Sequence, residues 1–163
     1  MHRKAAAAPE WTSSRAVPLA TIREISERDV AHVLALYSGS APVPNLPGSP
    51  PADESQRAGW LRELMHRGFN FVAEEDGRLV AHLVLIRVGD TAQVSAFVHP
   101  ESRRRGIGST LLRVAVDQAR DMGLRHVWIA VPAADRSLQD MLLHAGFAIS
   151  ARTETHTDFL LSL

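Results

Sequence analysis

VHPESRRRGIGSTLL, residues 98–112, decides how this chain is read. An apolar, strand-like run ends at Val98. A loop follows that carries three consecutive arginines, Arg103, Arg104 and Arg105, and closes on Gly106-Ile107-Gly108. A helical pattern opens directly behind it. Two glycines let the backbone approach a ligand closely, and the first turn of a helix presents N–H groups with no partner inside the helix. The helix dipole adds about half a positive charge there. Arginine forks and the hydroxyls of Ser109 and Thr110 complete a cradle suited to phosphate oxygens.

Upstream, the pattern predicts a strand over Leu19–Ile25 and a helix capped by Ser26 with Asp29, running to about Tyr37. Gly39–Pro51 holds five prolines and is predicted to be a long loop of the kind that serves as a lid or binding loop. A helix over Asp53–Arg67 follows, ended by Gly68. Strands over Phe69–Glu75 and Arg78–Val88 are joined by Asp76-Gly77, a hairpin signal, and a third strand spans Thr91–Val98. Downstream, a helix is predicted over Ser109–Met122, stopped by Gly123, then a strand over Leu124–Val131 whose mostly apolar run suggests burial on both faces. A short helix from Asp135 or Ser137 to His144 and strands over Phe147–Arg152 and His156–Leu161 close the chain. Trp60, Phe71 and Trp128 fall at periodic positions and are assigned to the core. Residues 1–18 lack periodicity and read as a flexible N-terminal arm ahead of a single domain over 19–163; Trp11 is free there to dock the arm or a neighbouring subunit.

The chain has 163 residues, eighteen basic and eighteen acidic, and no cysteine. The balanced charge argues against a general nucleic-acid or membrane binder and makes the local arginine cluster more telling. The lack of cysteine removes disulfides, thiolate metal sites and a thiol-linked acyl intermediate. Eight histidines are present without an HExxH-type pair, so no metal is expected. The Ala5–Ala8 run is cut short by Pro9 and Glu10, too early for a secretion signal, and the expected location is cytoplasmic.

Two phosphate motifs fail on this loop. A dinucleotide fingerprint needs a third glycine where Leu111 stands, and a P-loop needs a lysine that is missing. A merely solvated basic loop fits poorly with the strand on one side and the helix on the other. The segment Arg103-Arg104-Arg105-Gly106-Ile107-Gly108 after Val98 resembles the acyl-CoA loop of the GNAT superfamily of N-acetyltransferases, whose signature is Gln/Arg-x-x-Gly-x-Gly/Ala. Thr21-Ile22-Arg23 with Asp29, Gly123-Leu124 leading into Val127–Val131, and His144-Ala145-Gly146-Phe147 are similar to other parts of that family in the same order. The likeness covers roughly residues 19–161.

The resemblance implies an α/β fold with a central mixed, mostly antiparallel sheet flanked by helices. It implies an acetyl-CoA-dependent N-acetyltransferase acting on a primary amine of a small molecule or protein. The rival is a non-catalytic acyl-CoA sensor or interaction module of the same fold. On this reading Ala96, Phe97 and Val98 line the pantetheine arm, and residues Arg103 to Ser109 (Arg103, Arg104, Arg105, Gly106, Ile107, Gly108, Ser109) hold the pyrophosphate. Asp135 stands where the family usually has an asparagine facing the cofactor arm, and the Val98 N–H is the oxyanion donor. The partners are acetyl-CoA and an amine, and a homodimer stays open. The family's usual tyrosine acid falls at Leu142, and the glutamate base of some members falls at Ala92 and Ala130. His82, His99, His144, Glu74 and Ser95 remain as proton-handling candidates beside a plain water relay. Of these, Ser95 and His144 are carried forward as catalytic candidates. His82, on an apolar strand face, is expected to pack against a partner. The proline-rich loop is where the family forms its acceptor site, with Ser40, Asn45, Asp53 and Glu54 as its polar residues.

Overall fold

The computed structural model describes residues 20–39, 43 and 45–163. The expected arm at 1–18 with Trp11, the strand start at Leu19, and Ser40 lie outside the described residues. Among the described residues four α-helices and seven strands follow the predicted order: β1 (Thr21–Glu24), α1 (Val30–Tyr37), α2 (Arg57–Arg67), β2 (Phe69–Glu75), β3 (Arg78–Val88), β4 (Thr91–Val98), α3 (Ile107–Asp121), β5 (His126–Pro132), α4 (Arg136–His144), β6 (Ala148–Arg152) and β7 (His156–Ser162). One sheet runs β1-β2-β3-β4-β5-β7-β6, antiparallel throughout except for the β4–β5 pair. The expected mixed, mostly antiparallel sheet is therefore the one observed.

Local chemistry accounts for most boundaries. Asp76 and Gly77 take φ of 51° and 75°, the left-handed pair that a two-residue hairpin needs to match strand twist. The Ser26 amide and hydroxyl both donate to Asp29 (2.8 and 3.1 Å), and Arg23 grips the same carboxylate with two bonds of 2.7 and 2.8 Å. Those donors hold the Asp29 carboxyl well below the usual carboxylate range, the Arg23 hydrogen bond first among them. The predicted helix over 53–67 opens instead as a tight turn at Glu54–Gln56, because Asp53 spends its carboxylate on Ser55. Helix α3 starts two residues before the predicted Ser109, since Gly106, at φ 80°, makes the break and Ile107 is already buried.

Helices α1 and α2 cover β2 and β3 on one face of the sheet, while α3 and α4 pack on the other. The larger core joins Leu83, Leu85, Leu111, Val116, Val127, Leu142 and Phe159 on the α3–α4 side. A smaller one gathers Val33, Tyr37, Leu61 and Val72 beneath α1 and α2. Two tryptophans correct the sequence reading. Strand β5 is not buried on both faces: Val127, Ile129 and Val131 point into the core, and Trp128 is half-buried on the opposite face. Trp60 is likewise half-buried, edge-on to Tyr37 with ring centres 5.3 Å apart. Phe71 is in the core as expected. No helix among the described residues is long and apolar enough to cross a membrane.

Candidate active site

Strands β4 and β5 pair only from Thr91 to Val94 and from His126 to Ile129. Beyond that point they diverge, and a cleft of about 700 Å³ opens between them. The hydrogen-bond alternation of an antiparallel pair settles what β4 turns toward this gap. The His99 N–H donates to the Val80 carbonyl (2.7 Å), so His99 and Val80 form a bonded pair. In the same register Phe97–His82 and Ser95–Val84 are also bonded pairs. Ala96 and Val98 fall between them, so their N–H and C=O groups point away from β3, toward the side that β5 has left. The Val98 carbonyl receives Arg103 Nε at 3.1 Å, which leaves its N–H as the polar group directed into the cleft.

The glycine loop closes one end of the gap. Arg104 (φ 62°) and Gly106 (φ 80°) bend it sharply into α3, and Thr110 ties the turn by donating to the Gly106 carbonyl from both its amide (3.0 Å) and its hydroxyl (2.8 Å). Arg103, Arg104, Gly106, Ile107, Gly108 and Ser109 line the cleft, with Ala96, Phe97 and Val98 along its floor. Arg105 does not line it. Its guanidinium pairs with Glu75 at the end of β2, and the buried Ser102 hydroxyl donates to the same carboxylate at 3.1 Å. Asp135 lines the far wall while serving as the cap of α4, accepting the Leu138 amide at 3.0 Å.

The proton-handling candidates scatter. Ser95 lines the cleft directly beneath Gly48. His144 is exposed, its Nδ1 engaged at 2.7 Å by the Asp140 carbonyl oxygen, and is not among the cleft residues. The spacing that puts it at the end of α4 also carries it one turn too far. His99 is half-buried and accepts the Glu101 amide, and Glu74 pairs with Arg23 at the edge of the sheet. Leu142 is wholly buried, and Ala92 lies in the core. Asp53 and Glu54 turn to Ser55 and Arg57, and Asn45 does not line the cleft.

Two arrangements were not assembled from sequence. The first is a buried chain through Tyr37, His82 and Asn70. Asn70 Nδ2 donates to the carbonyls of Leu64 (2.9 Å) and Gly68 (3.2 Å), which turns its Oδ1 toward His82 Nε2 at 2.9 Å. That nitrogen must then carry the proton, so Nδ1 accepts from the Tyr37 hydroxyl at 2.7 Å. His82 does pack against partners, and its burial pulls the imidazole down to about 4. With 6.5 as the unfolded value, the unfolded chain takes up a proton between those limits while the folded one does not. Stability is thus complete above pH 6.5 and falls, by up to about 3 kcal/mol, as pH drops toward 4. Urea unfolding at pH 7.5 and 4.5 reads this, and His82→Gln should flatten that part of the difference. The signal in sequence was a lone tyrosine and a lone histidine on apolar faces, each needing a polar partner.

The second is a clasp. Arg57, 4% exposed, donates from Nε to the Pro51 carbonyl and from a terminal nitrogen to the Tyr37 carbonyl, both at 2.9 Å. One guanidinium thereby fastens the two stems of the proline-rich loop. Within the loop, Leu46 and Ser49 amides donate back to the Val43 and Leu46 carbonyls. Gly48, at φ 83°, rests so closely on β4 that a Cβ there would stand 2.4 Å from Ser95 Cβ.

The profile of the acetyltransferase (GNAT) family matches residues 31–147, the span from α1 through the cleft to the end of α4. The chain belongs to the GNAT acetyltransferase family. A stretch of 59 residues is 48% identical to mycothiol acetyltransferase of Mycolicibacterium vanbaalenii, covering 34% of this chain and 20% of that protein, so the chain spans about a fifth of that relative's length. The L-amino acid N-acyltransferase MnaT of Escherichia coli is 25% identical over 150 residues, 85% of this chain and 79% of that protein. Among solved structures, the putative acetyltransferase yncA of Salmonella typhimurium, with its cofactor acetyl-CoA, superposes with a TM-score of 0.69 at 22% identity, over 88% of this chain and 94% of that one. The GNAT fold is thereby shown, and an acyltransferase activity is supported.

Proposed function

We propose that this chain transfers an acetyl group from acetyl-CoA directly to the primary amine of a small molecule or protein. The observation that carries this is the gap between β4 and β5, edged by Ala96 and Val98 backbone groups and ending at a cationic glycine loop on a helix N-terminus. Phosphate oxygens suit the amides from Arg104 to Ser109, with Arg103 and Arg104 adding charge. Ala96, whose N–H and carbonyl both face the gap, offers strand-like pairing to an amide of a pantetheine arm. The chemistry is then a single displacement: the amine nitrogen attacks the thioester carbonyl, a C–N bond forms, the C–S bond breaks, and the proton lost from nitrogen ends on the thiolate sulfur. The Val98 N–H faces the oxygen that becomes negative, held in place by its neighbour strand and by Arg103 on its carbonyl. Ser95 lies at the acceptor end, where its hydroxyl can orient the amine or a water carrying the proton.

Because the chain has no cysteine, a thiol reagent reports released CoA with no protein background. Mixed with acetyl-CoA and a panel of amines, the protein should release CoA only when an amine is present. Tight CoA binding with no amine-dependent release would favour the sensor. No thermal protection by CoA, which at 100 times its Kd should add about 2.7 kcal/mol, would dismiss both.

A further inference from the structure

Among the described residues, one buried side-chain polar atom has no hydrogen bond: Oδ1 of Asp158 on β7. His156 Nε2 stands 3.4 Å from it without forming one. The His156 ring is held in that position, its Nδ1 lying between the hydroxyls of Thr155 (3.0 Å) and Thr153 (3.2 Å). A carboxylate oxygen that has lost water and gained no donor is costly, so a fold that keeps one calls for an explanation. The Asp158 side chain is nonetheless 19% exposed, so the group can be reached from outside. Its charge is shared by two oxygens, and a cation on the open side offsets the cost at the enclosed one.

The strand ladder brings this carboxylate to the cleft. The Ala133 amide donates to the Thr155 carbonyl (3.0 Å) and the Leu163 amide to the Arg125 carbonyl (2.9 Å), so it is the odd-numbered residues of β5 that bond to β7. Ala130 and Asp158 are then a non-bonded pair, the kind whose side chains stand closest, and Ala130 brings only a methyl group to it. Ala130 lines the cleft, with its peptide groups turned toward the side that β4 has left, and Asp158 stands one strand behind it. Ala130 follows Ile129, the last residue paired with β4, and so falls level with Ser95. Val98 lies three residues further along β4, roughly 10 Å at the rise of a strand. Phe97 and Pro132 line the stretch between, and neither is charged.

We propose that Asp158 is the acceptor-recognition group of this cleft, and that it receives a second, non-reacting ammonium of the acceptor. The inference rests on the transferase reading and names its substrate class: a primary amine joined through an apolar spacer to another cationic nitrogen about 10 Å away. The offset along the strands sets that spacing. A nitrogen attacking at the Val98 end is too far from Asp158 to touch it, whereas a cation at the other end of an extended chain is level with it. The ammonium brings N–H donors and a positive charge to a carboxylate short of both. The spacer gains by leaving water against Phe97 and Pro132.

Two matched pairs of amines test the proposal at saturating acetyl-CoA: octylamine with 1,8-diaminooctane, and butylamine with 1,4-diaminobutane. Beyond the statistical gain of carrying two reactive ends, 1,8-diaminooctane should exceed octylamine in kcat/KM by at least ~10-fold. The short pair, whose second charge falls well before Asp158, should differ by less than about threefold. In Asp158→Asn the advantage of 1,8-diaminooctane should shrink to within about threefold. Ala130→Lys sets a tethered ammonium beside Asp158 and should cancel the same advantage with the carboxylate in place. Thermal protection by CoA shows that each variant is folded, and if Asp158→Asn lacks it, Ala130→Lys decides. An advantage that survives in a folded variant, or one that is largest in the short pair, would overturn the proposal. Amine-dependent release of CoA with no preference for the long diamine would overturn this proposal alone. CoA binding without release for any amine would overturn the transferase reading as well.

Discussion

Gly108→Glu is expected to abolish CoA binding, with Kd raised at least ~100-fold, while Gly108→Ala stays within about threefold of the parent. The contrast separates charge from bulk. A Cβ at Gly108 would meet only Val98 Cγ2, at 3.9 Å, an ordinary contact, and the backbone there is helical, so alanine fits without strain. Glutamate carries a carboxylate into the turn where unpaired amides and Arg103 and Arg104 converge, in place of the phosphate charge they suit. Isothermal titration with CoA measures both variants, and equal affinities for the two would mean that this loop does not hold the pyrophosphate.

Gly68→Ala should cost about 3 kcal/mol of stability, one of the largest effects of any single methyl in this fold. The backbone at Gly68 is extended, φ −151° and ψ −178°, so the penalty is not conformational. It is steric: an added Cβ would stand 2.3 Å from the Leu85 carbonyl oxygen and 3.0 Å from Ile86 Cγ1. Leu85 is wholly buried in β3 and in register with both β2 and β4, so it has no room to yield. The Gly68 carbonyl also holds Asn70, and any shift there loosens the chain of bonds to His82 and Tyr37. Urea unfolding at pH 7.5 reads the loss directly; an unchanged midpoint would show that α2 and β2 can part at this junction.

Features set by residues close in sequence were legible. Asp76-Gly77 announces the hairpin, Ser26 and Asp29 cap one another, and the paired glycines behind Arg103–Arg105 mark the loop before α3. Features set by the meeting of distant segments were not. Nothing local to Trp128 says how it will be covered on its face of the sheet, so a periodic aromatic read as core is only half-buried. The point where β4 and β5 part depends on two strands on either side of α3, which no local pattern brings together. Tyr37 and His82 stand 45 positions apart, and only the fold shows that each is the other's partner. Arg105 was grouped with its neighbours because adjacency cannot reveal which of three arginines a carboxylate on β2 will claim.

The Arg57 clasp bears on how such a chain changes over generations. Because one buried guanidinium grips the carbonyls at both stems of the proline-rich loop, the loop's ends are set by backbone atoms that every residue type provides. Its interior can then drift, lengthen or be exchanged while the sheet and the donor end stay as they are. On the proposed reading, in which this loop forms the acceptor side, selection for a new acceptor has a confined stretch of chain to work on, and the arginine outside that stretch is the residue it must leave alone.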